Sequence, residues 1–219
     1  MPLGTQDTVW YILVWIEVSV LVIAALRTYC QKCQYPQSVC VCQFVPVIAS
    51  PIQIHVLQHK RERSNAKNTV RLVQLAIPDL FVHCIENDED IVNAIEALPS
   101  GRLAVFYPCE RSFTLEEKHE DITPALYAAL VFIDGSWKQA GGIARKLPTD
   151  KRLDFFHFNS IPSSRYTIRH TNKEYALSTL EAVAVALDKL FDISQHPLLA
   201  LLDEFQNHWQ GPTSHRRHV

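Results

Sequence analysis

Glycine is scarce in this chain, six among 219 residues, and methionine occurs once. That scarcity removes whole classes of ligand loop. There is no G-x-G-x-x-G and no G-x-x-x-x-G-K-[ST], so the two common phosphate cradles, whose close backbone approach needs glycine, are excluded. A G-x-S-x-G nucleophile elbow is missing as well, which removes the α/β-hydrolase reading. An excess of either charge is also lacking. Against 23 acidic side chains stand 21 basic ones, a net charge of −2, so any nucleic-acid surface has to be a local patch. No internal repeat, low-complexity tract or recognisable secretory cleavage site is evident. This predicts a reducing, cytoplasmic setting, where clustered cysteines hold metal rather than disulfides.

What is present suits one domain with a small appendage. The chain is long enough to bury a core, and 47% of it is hydrophobic. The expected organisation is an apolar segment over 1–29, a cysteine knuckle over 30–45, a main domain over 46–210 and a basic, irregular tail over 211–219. Trp10 to Leu26 is nearly continuous apolar sequence, but Glu17 sits in its middle, where a carboxylate costs about 3 kcal/mol in a lone span. The expectation is therefore a helix packed on the domain, with no membrane partner. Cys30-x-x-Cys33-x6-Cys40-x-Cys42 places four thiols within 13 residues. Two short knuckles of this kind satisfy one tetrahedral Zn²⁺, and with all four positions filled by protein the ion is structural.

From Ile52 onward the pattern alternates. Strand-like runs span Ile52–Leu57, Leu80–Ile85, Arg102–Tyr107, Ala128–Ile133, Leu153–Phe158 and Tyr166–His170. Helical patterns span Val70–Ala76 with Asn68 or Thr69 as cap, Asp88–Leu98, Lys138–Leu147 and Pro197–Trp209. Ser178-Thr179-Leu180-Glu181 is a capping box that opens a further apolar helix to Leu190. Thr114 to Asp121 is expected as a polar loop. Such alternation predicts an α/β domain with a mainly parallel sheet. Asp134-Gly135-Ser136-Trp137 ends one strand ahead of a helix, which is where open sheets place ligands. A plainer account makes Asp134 that helix's cap. Lys60, Arg61, Arg63, Lys67 and Arg71 against Glu62 form the local basic patch, suited to phosphate contacts or to a solvated helix start. Of the ten histidines, His59, His83, His157 and His170 are scattered and show no ligand spacing to one another.

Taken in order, these blocks resemble the DTW-domain family of tRNA-uridine aminocarboxypropyltransferases, from about Cys30 to Trp209. The carriers are Cys30, Cys33, Cys40 and Cys42; His59 and Glu62 with Asn68-Thr69; Tyr107-Pro108-Cys109; Asp134-Gly135-Ser136-Trp137; and Tyr166-Thr167-Ile168-Arg169 with Leu177-Ser178-Thr179-Leu180-Glu181. Ser136 stands for the family's threonine, Lys60 for a proline, Val70 for a glycine and Cys109 for a serine, while Gly141-Gly142 replace a basic pair.

The resemblance implies transfer of the aminocarboxypropyl group from S-adenosylmethionine to N3 of a tRNA uridine, with methylthioadenosine released. It also implies a SPOUT-like fold with a knotted C-terminal region. Asp134 is then the expected base or base-orienter with Glu62 second, Ser136 a hydrogen-bonding partner, and Trp137 either a stacking face or a core anchor. Tyr107, Pro108, Cys109, Gly135, Arg169, Leu177, Ser178, Thr179 and Glu181 are expected around the donor. His59, Arg61, Arg63, Lys67 and Arg71 are expected toward tRNA, and no protein partner is inferred. A SPOUT-like RNA methyltransferase and a non-catalytic zinc-stabilised RNA-binding protein are the alternatives.

Overall fold

A computed structural model describes residues 28–168 and 176–209. The expectations for Trp10 to Leu26, for Arg169 and His170, and for the basic tail lie outside the described residues. Six strands form one sheet among these residues: β1 (Gln53–His59), β2 (Leu80–Ile85), β3 (Arg102–Phe106), β4 (Ser112–Thr114), β5 (Tyr127–Asp134) and β6 (Leu153–His157). Their order is β2-β1-β5-β3-β6-β4, and every neighbouring pair runs parallel. The helices are α1 (Lys60–Arg63), α2 (Val70–Ala76), α3 (Asp88–Ala97), α4 (Leu115–Lys118), α5 (Trp137–Lys146), α6 (Thr179–Phe191) and α7 (His196–Asn207).

A parallel sheet needs cover on both faces, and the strand sequences supply two apolar faces to be covered. Along β5, Leu130 and Phe132 enter one core while Ala129 and Val131 enter the other. The first core is closed by α2, α6 and α7, through residues such as Leu72, Leu180, Val183 and Leu202, all fully buried. The second is closed by α3 and α5 through Ile91, Ala94 and Ile143. The cysteine knuckle joins the first core. Val41 is fully buried there, and the ring of Tyr35 lies 4.9 Å from that of Phe205 on α7.

The strand order also fixes where a ligand can sit. From β1 the chain moves to β2 on one side, and from β3 it ends at the opposite edge with β4. β5 then fills the gap between β1 and β3. The crevice outside the carboxyl ends of β1, β5 and β3 is thus the point where the winding reverses, the usual ligand position in such sheets.

Three local expectations are corrected. Tyr166 to Ile168 form no strand, because their backbone groups find side chains instead of a ladder. The Tyr166 N–H donates to Ser164 Oγ at 3.2 Å and the Thr167 N–H to Gln206 Oε1 at 2.6 Å. The stretch expected as a polar loop carries the end of β4, then α4 and a turn of 3₁₀ helix. Fully buried Leu115 anchors it, and the Glu116 carboxylate accepts from the N–H groups of Asn159 and Ser160. Finally, α5 is capped by Ser136 and not by Asp134. Ser136 and Gln139 form a reciprocal capping box, the Ser136 N–H donating to Gln139 Oε1 at 2.8 Å.

Candidate functional site

The chemistry begins at the last residue of β5. Parallel register sets Asp134 beside Gln58 of β1, and both side chains are buried, 8% and 2% exposed. Gln58 Nε2 donates to Asp134 Oδ2 at 2.9 Å and to Asn68 Oδ1 at 3.2 Å. On its other side Asp134 Oδ1 accepts from the hydroxyl of Thr179, the first residue of α6. One carboxylate therefore ties strand β1 to helix α6 across the end of β5. Asn68 in turn caps α2, its Oδ1 accepting from the Val70 N–H at 2.9 Å, while Tyr35 of the knuckle donates to its carbonyl at 2.6 Å. Thr69 holds the N-cap position of that helix without a side-chain cap bond, and the capping oxygen comes from Asn68.

Beyond Thr179 lies a cavity of about 790 Å³, within the range of small-molecule sites. Aromatic side chains dominate its wall: Phe106, Tyr107, Phe132, Trp137, Phe156 and Phe158. Gly135 and Thr179 also face it, so the first turns of α5 and α6 both open toward the same space. Two helix N-termini carry partial positive charge and free N–H groups, so the cavity favours a ligand with an apolar aromatic body and a carboxylate. The rings of Tyr107 and Trp137 are 6.2 Å apart at 51°, leaving two faces at an angle and not a closed stack. Burial pushes the Tyr107 hydroxyl above its usual range, with Arg145 acting in the opposite sense. A Cβ at Gly141 would lie 3.0 Å from that hydroxyl, and one at Gly135 3.0 Å from the Gln139 Cβ, so a side chain at either position would have to displace its neighbour slightly. Gly142 meets nothing within 4 Å, and no structural need for glycine is visible there.

The four knuckle sulfurs all lie within 4.8 Å of one another, with Cys30–Cys42 at 3.6 Å and Cys33–Cys40 at 3.7 Å. A tetrahedron with metal–sulfur bonds of about 2.3 Å has edges of about 3.8 Å. Burial and the neighbouring sulfurs push the Cys42 thiol up to about 12, while backbone N–H groups of Cys33 and Lys32 pull Cys30 down to about 6. Cys30, Cys33, Cys40 and Cys42 fit a closed zinc centre, whose chemistry is structural.

The other expected residues divide into groups. Pro108 and Leu177 line the aromatic cavity with Tyr107, Gly135 and Thr179, while Cys109 does not line it and packs against the second core. Ser178 caps α6, and the buried Glu181 carboxylate accepts from Ser164 Oγ and from the N–H groups of Arg165 and Ser178, a brace beneath the cavity. Glu62 is buried on α1, where it accepts from Asn65 Nδ2 at 3.2 Å. His59 caps α1 by accepting from the Arg61 N–H. Arg61 and Arg63 are exposed, and the Lys67 ammonium lies 5.4 Å from the Trp209 ring. Gln58 and the aromatics of β3, β5 and β6 were not expected. A polar residue closing an apolar strand was the only signal for Gln58, and its pairing with Asp134 needs the β1–β5 register.

The sequence profile described as DTW domain matches residues 27–210. The chain belongs to the DTW-domain family. This DTW domain is 32% identical over 174 residues to the mouse (Mus musculus) protein named tRNA-uridine aminocarboxypropyltransferase 2, covering 76% of this chain and 58% of the mouse protein. The Macaca fascicularis protein of the same name is 31% identical over 174 residues with the same coverage. The Drosophila melanogaster one is 32% identical over 168 residues, covering 74% of this chain and 66% of that protein. The DTW domain described here thus spans about three-fifths of the length of the first of these curated relatives. No solved structure matches it.

Proposed function

We propose that this DTW domain transfers the aminocarboxypropyl group of S-adenosylmethionine to N3 of a uridine in tRNA and releases methylthioadenosine. The observation that carries this reading is the aromatic cavity with two helix N-termini opening into it and the Thr179–Asp134–Gln58 chain at its edge. The names of its relatives supply the reaction class. The tilted faces of Tyr107 and Trp137 suit an adenine on one side and an unstacked uracil on the other. The N-terminal N–H groups of α5 and α6 suit the donor's carboxylate.

A sulfonium is already electrophilic at the carbons attached to sulfur, so positioning carries much of the barrier. The N3 proton passes to the Thr179 hydroxyl as Thr179 gives its own proton to Asp134. N3 then bonds to the propyl carbon, the carbon–sulfur bond breaks, and its electron pair stays on sulfur in the leaving thioether. Ser136 holds the turn that carries Trp137, and the basic stretch from His59 to Arg71 meets RNA phosphates. Zinc in the knuckle braces the first core. A SPOUT-like reading of the fold goes with this function. What supports it is that Phe158, Ile161 and Leu177, all C-terminal to β6, line the same cavity.

The test incubates the full chain with labelled S-adenosylmethionine and tRNA and weighs the modified nucleoside. An aminocarboxypropyl adduct is expected. A methyl adduct would establish the SPOUT-like methyltransferase instead, and binding without any adduct would leave an RNA-binding protein.

A further inference from the structure

A second cavity, of about 620 Å³, opens on the far side of Gln58, between the cysteine knuckle, α2 and β2. Its character differs from that of the first. Lys32, Arg63 and Arg71 line it together with the amides of Gln58, Asn68 and Gln74, and no carboxylate does. Among the described residues Lys32 and Arg63 form no ion pair. Arg71 is held in place without losing its charge. Its guanidinium donates to the carbonyls of Gln34 and Arg63, at 3.1 and 3.2 Å, and stacks 4.8 Å from the Tyr35 ring.

Gln58 supplies the second, independent sign of a ligand. Its Nε2 is committed to Asp134 and Asn68, and both of those oxygens must accept, so the amide orientation is fixed. The opposite atom, Oε1, takes no hydrogen bond from any described residue, although Gln58 is 2% exposed and lines the cavity. That acceptor opens on the cavity, where a ligand's donor can reach it. Two cations without an ion pair, and a third held only by neutral groups, suit an anion in the same cavity.

Given the aminocarboxypropyl reading, we propose that the second cavity seats the nucleotide flanking the modified uridine. Lys32, Arg63 and Arg71 hold its phosphodiester, and Gln58 Oε1 accepts from its ribose hydroxyl or a base N–H. Gln58 faces this nucleotide, Thr179 faces the reacting one, and Asp134 hydrogen-bonds both residues. The RNA strand thus crosses the end of β5 with one nucleotide on either side. Lys32 and Gln34 lie between two of the zinc ligands, so the knuckle builds a wall of the RNA site as well as bracing the core.

The experiment compares the full chain with a Lys32→Gln/Arg63→Gln double variant and an Arg61→Gln control. It measures tRNA affinity over a range of salt and, separately, S-adenosylmethionine affinity. The double variant is expected to lose roughly ten- to a hundred-fold in tRNA affinity, with its log–log salt slope shallower by about 1.4 to 1.8. Donor affinity is expected to stay at the wild-type level, and Arg61→Gln to cost clearly less. Wild-type affinity in the double variant would overturn the proposal, and so would an equal loss in Arg61→Gln, since that describes a diffuse basic surface. Loss of tRNA affinity as expected in a protein that transfers only methyl would leave the cavity standing and remove the aminocarboxypropyl reading. A wild-type chain that binds no tRNA would remove both.

Discussion

Two cavities flank one hydrogen-bonded pair in this molecule, and their walls are opposites. Over β5, β3 and β6 the wall is aromatic and the charge comes from two helix N-termini; over β1 and β2 it is amide and guanidinium. The difference follows from what each half of the sheet can recruit. The central strands are apolar along their length, so their carboxyl ends present Phe106, Phe132 and Phe156. β1 instead closes with Gln58 and His59 and runs straight into α1, where Lys60, Arg61 and Arg63 follow. An aromatic cavity selects for ring shape, and a cationic one holds phosphate whatever the base. The proposed transfer to RNA would use both, and Asp134 hydrogen-bonds a residue at the edge of each.

The largest expected break comes from the knuckle. Cys33→Ser removes one of the four sulfurs that fit a zinc ion, one that is also 1% exposed in the first core and faces the second cavity. Structural zinc contributes folding energy outright, so a loss of several kcal/mol is expected, read as a drop in the denaturation midpoint and as zinc stoichiometry below that of the wild type. Next in size is Asp134→Asn. It keeps the shape and a hydrogen bond to either neighbour but removes the carboxylate proposed above as proton acceptor. A fall in kcat of roughly 10² to 10⁴ is expected with tRNA and donor affinities nearly unchanged. Wild-type kcat from this variant would leave Asp134 as a brace alone.

Much of the framework was legible in the sequence. The strand runs from Leu80, Arg102, Ala128 and Leu153 are found within a residue or two, because each is a short apolar run between turn residues. The four cysteines were legible for the same local reason. The site's logic was not. Nothing in the order of residues places Gln58 against Asp134, 76 positions away, since that contact exists only once β5 inserts beside β1. Tyr166 to Ile168 misled in the other direction. Their alternation suits a strand, but Ser164 and Gln206 satisfy the backbone first. Local pattern finds elements, and register finds sites.

A smaller effect sharpens the contrast between the cavities. Trp137 is half-buried at the aromatic wall and absent from the basic one. Trp137→Ala removes a stacking face worth about 1–3 kcal/mol. S-adenosylmethionine affinity is therefore expected to fall roughly five- to a hundred-fold while the salt slope of tRNA binding stays as it is. A changed slope would mean that the two cavities do not divide the work as described.

The smallest effect lies on the same strands as the basic cavity but outside it. His55 of β1 is 3% exposed, stacked 4.9 Å from Phe81, with its Nδ1 2.9 Å from Nε2 of His83. Burial, reinforced by His83, pulls His55 down from 6.5 to about 4, and burial lowers His83 as well. Between those two pH values the unfolded chain binds protons that the folded chain refuses. Stability from this pair is accordingly full above pH 6.5 and declines as pH falls toward 4, by at most about 1.4 kcal/mol per pH unit for each proton. A His55→Gln/His83→Gln variant should flatten that window in denaturation experiments and leave tRNA affinity at neutral pH unchanged. If the variant instead weakens tRNA binding at neutral pH, the RNA path reaches farther along β1 and β2 than Gln58, and the basic cavity is only part of it.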